Sequence, residues 1–121
     1  MVRRQECIVE WRVFSVDPFT THRFLKALED SGREQIIVTG IEAHVCVLQT
    51  ALDLLNAGYE VFVPHDAVNS RRKADRKWAL RRMASAGAVI TTTESALFEL
   101  LERCDTAEFK TVAKLIKRIP V

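Results

Sequence analysis

Closely spaced cysteines, long apolar runs and an excess of one charge are all missing from this sequence. The cysteines, Cys7, Cys46 and Cys104, are too few and too far apart for a disulfide framework or a CxxC metal site. No apolar run approaches the roughly 20 residues that cross a bilayer, and residues 1–11 lack the apolar core of a signal peptide. We therefore expect a cytoplasmic protein with no membrane partner, no metal and no cofactor.

The charges nearly balance, with 18 Lys and Arg against 16 Asp and Glu and a net charge of +2. The exception is "RRKADRKWALRR", residues 71–82, with seven cations and one acid. This segment fits a phosphate-binding helix or a solvated helix face to which Trp78, Leu80 and Met83 add apolar contacts. We favour the solvated face, because no aromatic stacking platform accompanies the charge. We therefore predict no nucleic-acid partner.

Short β-rich runs alternate with longer helical ones along the 121 residues, which we interpret as one domain spanning residues 1–121. The alternation predicts crossover connections, a parallel Rossmann-like sheet and a three-layer α/β/α sandwich. For the last helix, Asp105 and Glu108 have the spacing of a capping box. Strands are predicted at 6–14, 35–40, 59–66 and 88–92, and helices at 17–32, 43–57, 69–87, 93–104 and 105–118. The strand at 35–40 is a continuous apolar run, as expected of a strand buried on both faces.

The thiol of Cys46 lies at the strand-to-helix corner of "IIVTGIEAHVCVLQTALDLL", residues 36–55. Ligands of open parallel sheets bind beyond the carboxyl ends of the strands, which is where this corner falls. A helix N-terminus favours the thiolate, and its N–H groups can stabilise an oxyanion. The alternative is a buried small hydrophobe, the ordinary role of a free cysteine and the one we expect for Cys7 and Cys104. Position alone leaves both open for Cys46.

A resemblance to a known protein family is a second source of evidence on the role of Cys46. The segment "VTGIEAHVCVLQTALDLLNAGYEVFVPHDAVNSR", with "RMASAGAVITTTESALFELL" and "FKTVAKLIK" further on, resembles the isochorismatase-like cysteine hydrolases, and the later segments are similar to the isochorismatase-domain-containing branch. The resemblance covers about residues 8–118. It implies that Cys46 is the nucleophile, that the Ile41–Glu42 peptide bond is cis, and that the backbone N–H groups of Glu42 and Cys46 form the oxyanion hole.

Two other catalytic groups that the resemblance implies, an aspartate and a lysine, have no counterparts. No apolar strand ending in Asp precedes residue 6, and the lysine position is Trp11, with Arg12 beside it. His44 and His65 are candidate substitute bases, although we favour ordinary loop or capping histidines. Asp66, Ser70 and Arg71 fall on a loop to which we assign a structural role.

These gaps lead to two hypotheses for a chain that looks N-terminally incomplete relative to the family and lacks its usual first strand–helix unit. One is a cysteine hydrolase of small amides or esters that is impaired as this chain. The alternative is a catalytically dead oligomerising or small-molecule-binding domain. Without its usual neighbour, the strand at 35–40 would have an unpaired apolar edge, which recruits other chains, so we expect a homo-oligomer.

Overall fold

The computed structural model describes residues 18–119, with side chains from residue 23 onward. The predicted strand at 6–14, and with it Cys7, Trp11 and Arg12, lies outside the described residues. Helices and short strands alternate along the rest of the chain as predicted. The elements are α1 (Pro18–Ser31), β1 (Gln35–Ile37), β2 (Gly40–Ile41), a π-helical turn (Ala43–Val47), α2 (Leu48–Asn56), β3 (Glu60–Pro64), β4 (Val68–Asn69), α3 (Lys73–Ala86), β5 (Val89–Thr91), α4 (Thr93–Leu101) and α5 (Ala107–Ile116).

All of the strand pairs are parallel, which confirms the predicted α/β class. The main sheet has the order β1-β3-β5, with Ile36 opposite Val61 and Phe62 opposite Val89. Strands β2 and β4 form a second parallel pair. In the chain, β2 follows β1 and β4 follows β3, each after a few intervening residues. The carboxyl ends of the strands therefore meet at one edge, where the turn that contains Cys46 begins.

The core lies where α2 and α3 pack on each other and on the sheet. Helix α2 contributes Ala51 and Leu54 and helix α3 contributes Met83, all of them buried. Val61 and Val63 of the central strand β3 are buried with them. Alternate residues of a strand share a face, so these two valines anchor the sheet against the helices.

Helix α3 begins at Lys73, four residues later than predicted, because Val68 and Asn69 pair with β2 as a short strand. Its Trp78 is 62% exposed, so the predicted apolar contact of this side chain is wrong. Leu80 is half-buried and Met83 is buried, as expected. Gly87, at φ +113°, ends the helix in a left-handed conformation that glycine adopts without a Cβ clash.

The predicted capping box of α5 is wrong. The N-cap is Thr106, whose hydroxyl accepts a hydrogen bond from the Phe109 N–H at 3.1 Å. Asp105 instead accepts a hydrogen bond from the Arg103 Nε at 2.9 Å, and this guanidinium holds the pKa of Asp105 below its ordinary value. α5 packs against α4, with the rings of Phe98 and Phe109 5.2 Å apart.

Strand β1 forms an edge of the described sheet, and no described strand pairs with its outer side. None of the three β1 residues is buried and Ile37 is 41% exposed, so the prediction of a strand buried on both faces is wrong for β1. Beyond the edge, the side chains of Ile41 and Val45 are also exposed. In the part of the chain that the structure describes, no helix is long and apolar enough to cross a bilayer.

Candidate active site

The turn that carries Cys46 is a single π-helical segment, Ala43–Val47, placed directly before α2. It follows the Ile41–Glu42 peptide bond, which is cis, and an extended Glu42. The N–H groups of Val45 and Val47 both donate to the Glu42 carbonyl oxygen, each at 3.2 Å. The sequence pattern predicted a regular helix from residue 43, since the hydrophobic period gives no signal for a π turn.

The π turn is anchored by its two ends. Ala43 and Val47 are buried in the core, whereas Cys46 is half-buried and Val45 is exposed. Among the described residues, the Cys46 side chain forms no hydrogen bond or ion pair. The two buried ends thus hold the backbone that carries Cys46 against the core, and the thiol remains partly exposed.

A cluster of polar side chains ties the π turn to the loop between β4 and α3. The Glu42 carboxylate accepts a hydrogen bond from the Arg71 N–H at 3.3 Å, and one of its oxygens lies 3.6 Å from the Arg71 Nε. The same carboxylate oxygen lies 3.5 Å from the His44 Nδ1. Glu42 therefore bridges the turn to a residue 29 positions later in the chain.

His44 forms the second link of this cluster. Its Nδ1 lies 3.0 Å from the Ser70 hydroxyl, and its Nε2 lies 3.9 Å from an Asp75 carboxylate oxygen. Ser70 is 8% exposed, and its N–H donates to the Asn69 side chain at 2.9 Å. Because His44 and Ser70 are 26 positions apart, no local pattern in the sequence could have revealed their contact.

The second candidate base, His65, lies against Arg76. The Arg76 Nη2 is 3.2 Å from the His65 Nδ1 and donates to the His65 carbonyl oxygen, while the Arg76 Nε donates to the Val68 carbonyl oxygen at 3.0 Å. In the described part of the chain, neither His44 nor His65 forms a hydrogen bond with the Cys46 thiol. These contacts favour structural roles for both histidines, His44 within the π turn and His65 in the loop after β3.

Asp66 fastens the loop after β3 to the start of α4. Its carboxylate accepts hydrogen bonds from the Thr93 N–H at 2.8 Å and from the Thr93 hydroxyl at 3.0 Å. Partial burial raises the pKa of Asp66, but the hydrogen bonds from Thr93 outweigh it, and the pKa lies below the ordinary value of 3.8. Asp66, Ser70 and Arg71 thus all make structural contacts.

An open cleft of about 400 Å³ runs along the β2–β4 pair, lined by Gly40, Ile41, residues 66–69 and Arg76. Cys46 does not line it. We centre the candidate site on the thiol, because the residues that line the cleft include no thiol or hydroxyl, and their one carboxylate, that of Asp66, is bonded to Thr93. Across residues 18–119, no three His, Cys, Asp or Glu side chains converge as a metal site would require.

Comparison with known proteins places the sequence in a family. The isochorismatase domain matches residues 2–95. The secreted isochorismatase effector Isc1 of Phytophthora sojae (strain P6497) is 51% identical over 85 residues, which is 70% of this chain and 40% of that protein.

Two solved structures are similar as well. The MAR1 ribonuclease of Caenorhabditis elegans aligns with a TM-score of 0.70 at 40% identity, over 88% of this chain and 56% of its own. The YcaC gene product of Escherichia coli, described as an octameric hydrolase of unknown specificity, aligns with a TM-score of 0.74 at 31% identity, over 83% of this chain and 50% of its own. This chain spans about half the length of the relatives it matches. It belongs to the isochorismatase-like hydrolase family.

Proposed function

We propose that this chain carries the nucleophile of a cysteine hydrolase that acts on small amide- or ester-type substrates. The observation that carries the proposal is the place of Cys46, half-buried in the π turn beyond the carboxyl ends of the parallel strands. This is where open parallel sheets bind ligands. Cys104, by contrast, is exposed after the end of α4.

The chemistry follows from the thiolate. The Cys46 thiol gives up its proton, its sulfur attacks the substrate carbonyl carbon, a carbon–sulfur bond forms, and the carbonyl oxygen takes the negative charge. The backbone N–H groups of Glu42 and Cys46, proposed as the oxyanion hole, stabilise that charge. As the intermediate collapses, the bond from carbon to the leaving nitrogen or oxygen breaks and that atom takes up a proton, which replaces the one lost by the thiol. Water then hydrolyses the thioester to release the acid and restore the thiol.

Proton transfer is the step that we expect to be slow in the 121-residue polypeptide by itself. The position of the family lysine is Trp11, and the family aspartate has no counterpart in these residues. General acid–base catalysis is worth roughly 10²–10⁴-fold in rate. Acylation of Cys46 by an activated ester should therefore outpace deacylation, because a good leaving group needs no proton.

This expectation is tested with p-nitrophenyl acetate. Wild-type protein should release about one equivalent of p-nitrophenol in a burst, followed by slow turnover, and Cys46→Ala should abolish the burst. Cys104→Ser, which removes an exposed thiol, is the matched control and should retain it. A burst that survives in Cys46→Ala, or disappears in Cys104→Ser, would refute the assignment.

The alternative is a catalytically dead oligomerising or small-molecule-binding domain, and thiol reactivity separates it from the hydrolase. Iodoacetamide labelling followed by peptide mapping gives the alkylation rates of Cys46 and Cys104 as a function of pH. An activated Cys46 should react faster than the more exposed Cys104 at pH 7, because only the thiolate is a nucleophile. A slower Cys46 at every pH, with no ester burst, would favour the dead domain.

A second candidate activity is cleavage of RNA, which the name of the ribonuclease from Caenorhabditis elegans favours. Its test is a labelled single-stranded RNA incubated with wild type and Cys46→Ala and analysed on a denaturing gel. Cleavage lost in Cys46→Ala would assign RNA hydrolysis to the same thiol. Intact RNA together with an ester burst would favour the hydrolase of small substrates over the ribonuclease.

We also infer a homo-oligomer, supported by the exposed apolar residues at the β1 edge and by the octameric description of YcaC. The inferred location is the cytoplasm, because three widely spaced cysteines do not form the disulfide framework of a secreted domain, although the relative from Phytophthora sojae is named a secreted effector. Microscopy of a fluorescently tagged protein distinguishes the two locations.

A further inference from the structure

The seven cations of residues 71–82 separate into two groups. Three make contacts within the fold: Arg71 with Glu42, Arg72 with Asp75 at 2.7 Å, and Arg76 with the His65 and Val68 carbonyl oxygens. The other four form no ion pair with any residue from 18 to 119: Lys73, Lys77, Arg81 and Arg82. The structural contacts thus account for fewer than half of these charges.

The four uncompensated cations share the solvent side of α3. Lys73, Lys77 and Arg81 follow one another at four-residue intervals and therefore form a row along the helix. The opposite side of the helix is buried through Ala79 and Met83. The row and Arg82 together span about 14 Å along the helix axis, at about 1.5 Å per residue.

An exposed tryptophan lies among these cations. Trp78 is 62% exposed, and the Arg81 guanidinium carbon lies 5.0 Å from its ring centroid, within cation–π distance. An exposed indole next to cationic side chains presents a planar face on which a nucleic-acid base can stack. The aromatic platform that the sequence pattern did not reveal is therefore present on the basic side of this helix.

We propose that this surface, formed by Lys73, Lys77, Trp78, Arg81 and Arg82 and called here the Trp78 face, binds single-stranded RNA. The row of cations matches the regularly spaced phosphates of a nucleic-acid strand, and the indole offers a surface on which a base can stack. An acidic protein segment would neutralise the cations but leave the indole without a matching planar group. The proposal concerns binding, is independent of any reaction at Cys46, and goes beyond the hydrolase function.

The first experiment measures the charge contribution. Fluorescence anisotropy of labelled oligouridine is recorded over a series of salt concentrations. Each phosphate contact on a single strand contributes about 0.7 to the slope of log K against log salt, so Lys77→Ala/Arg81→Ala should lower the slope by about 1.4. The matched control Lys110→Ala/Lys114→Ala removes the same charge at the same spacing from exposed positions of α5 and should leave the slope unchanged.

The second experiment separates base stacking from attraction to any polyanion. Trp78→Ala should weaken oligouridine binding about tenfold, and Trp78→Phe should weaken it less, because a benzene ring still stacks. Heparin, which has charge but no bases, should bind equally to wild type and Trp78→Ala. Circular dichroism of each variant verifies that the helices remain folded.

Three outcomes would overturn the proposal. Equal slopes for the α3 and α5 double variants would show that binding follows net charge. Equal affinity of wild type and Trp78→Ala for oligouridine would reduce the face to a general polyanion site. No binding to oligouridine, together with self-association that Trp78→Ala abolishes, would assign the face to a second copy of this chain.

Discussion

At the scale of single residues, the polar cluster around His44 explains how a short turn keeps a fixed shape beside a loop distant in sequence. Ser70 is 8% exposed and its hydroxyl lies 3.0 Å from the His44 Nδ1. A net hydrogen bond of this kind contributes about 1 kcal/mol to stability. The cluster thus fastens the turn that carries Cys46 to the start of α3.

Ser70→Ala should lower the free energy of unfolding by about 1 kcal/mol, because the His44 Nδ1 loses its hydrogen bond to the Ser70 hydroxyl. Urea unfolding followed by circular dichroism measures the change. Ser85→Ala, at an exposed position of α3, is the control, and it should change stability by less than about 0.5 kcal/mol. Equal unfolding midpoints for Ser70→Ala and wild type would contradict a structural role for this contact.

Asp66 gives a pH-dependent prediction. The pKa of this carboxyl is lower in the folded protein than its ordinary value of 3.8, so its ionised form stabilises the fold at neutral pH. That contribution is present above pH 3.8 and disappears as the pH falls through the lowered folded-state pKa. The carboxylate is exposed, and screening by water keeps the contribution below about 1 kcal/mol.

Asp66→Asn, which keeps an oxygen that can accept from Thr93, should therefore destabilise the protein at pH 7 and have a smaller effect at pH 3. Urea unfolding of both proteins at the two pH values measures the difference. Asp53→Asn, on the exposed side of α2, corrects for the loss of one negative charge. A stability difference that is as large at pH 3 as at pH 7 would contradict the assigned role of the charge.

At the scale of secondary-structure elements, α2 determines where the π turn lies, because it connects the turn rigidly to the core. Leu54→Ala, at a residue 2% exposed, should destabilise the protein by about 2–5 kcal/mol, the cost of lost burial plus a cavity. The control is Leu115→Ala on α5, where the side chain is 54% exposed and the cost should be small. Urea unfolding compares the two, and a similar loss in both would contradict the assigned core.

At the scale of the whole molecule, the apolar edge of β1 is the surface that we expect to mediate self-association. Ile37→Lys should shift the protein toward smaller species, because a lysine at a strand edge opposes pairing with another strand. Light scattering coupled to size-exclusion chromatography measures the molar mass. Leu115→Lys places the same charge at an exposed position of α5, which packs against α4, and should leave the mass unchanged. An unchanged mass in Ile37→Lys would locate any interface elsewhere.

Much of the fold was predictable, because strand and helix periods are properties of neighbouring residues. The positions of α1, β3, β5 and α4 lie within the predicted ranges, and their alternation predicted the parallel sheet. The errors occur where a specific polar or strand-pairing contact, which the hydrophobic period does not encode, determines the local structure. β4 forms because Val68 and Asn69 meet β2, and the cap of α5 is Thr106 because Asp105 bonds to Arg103 instead.

By itself, the sequence determined the α/β class, the order of the elements and the location of Cys46 at a strand-to-helix corner, since each depends on a local pattern of apolar and polar residues. Tertiary structure alone decided the π-helical shape of the Cys46 turn, the link between His44 and Ser70, and the exposure of Trp78. These features depend on which surfaces meet when distant segments pack together, and no window of neighbouring residues contains that information.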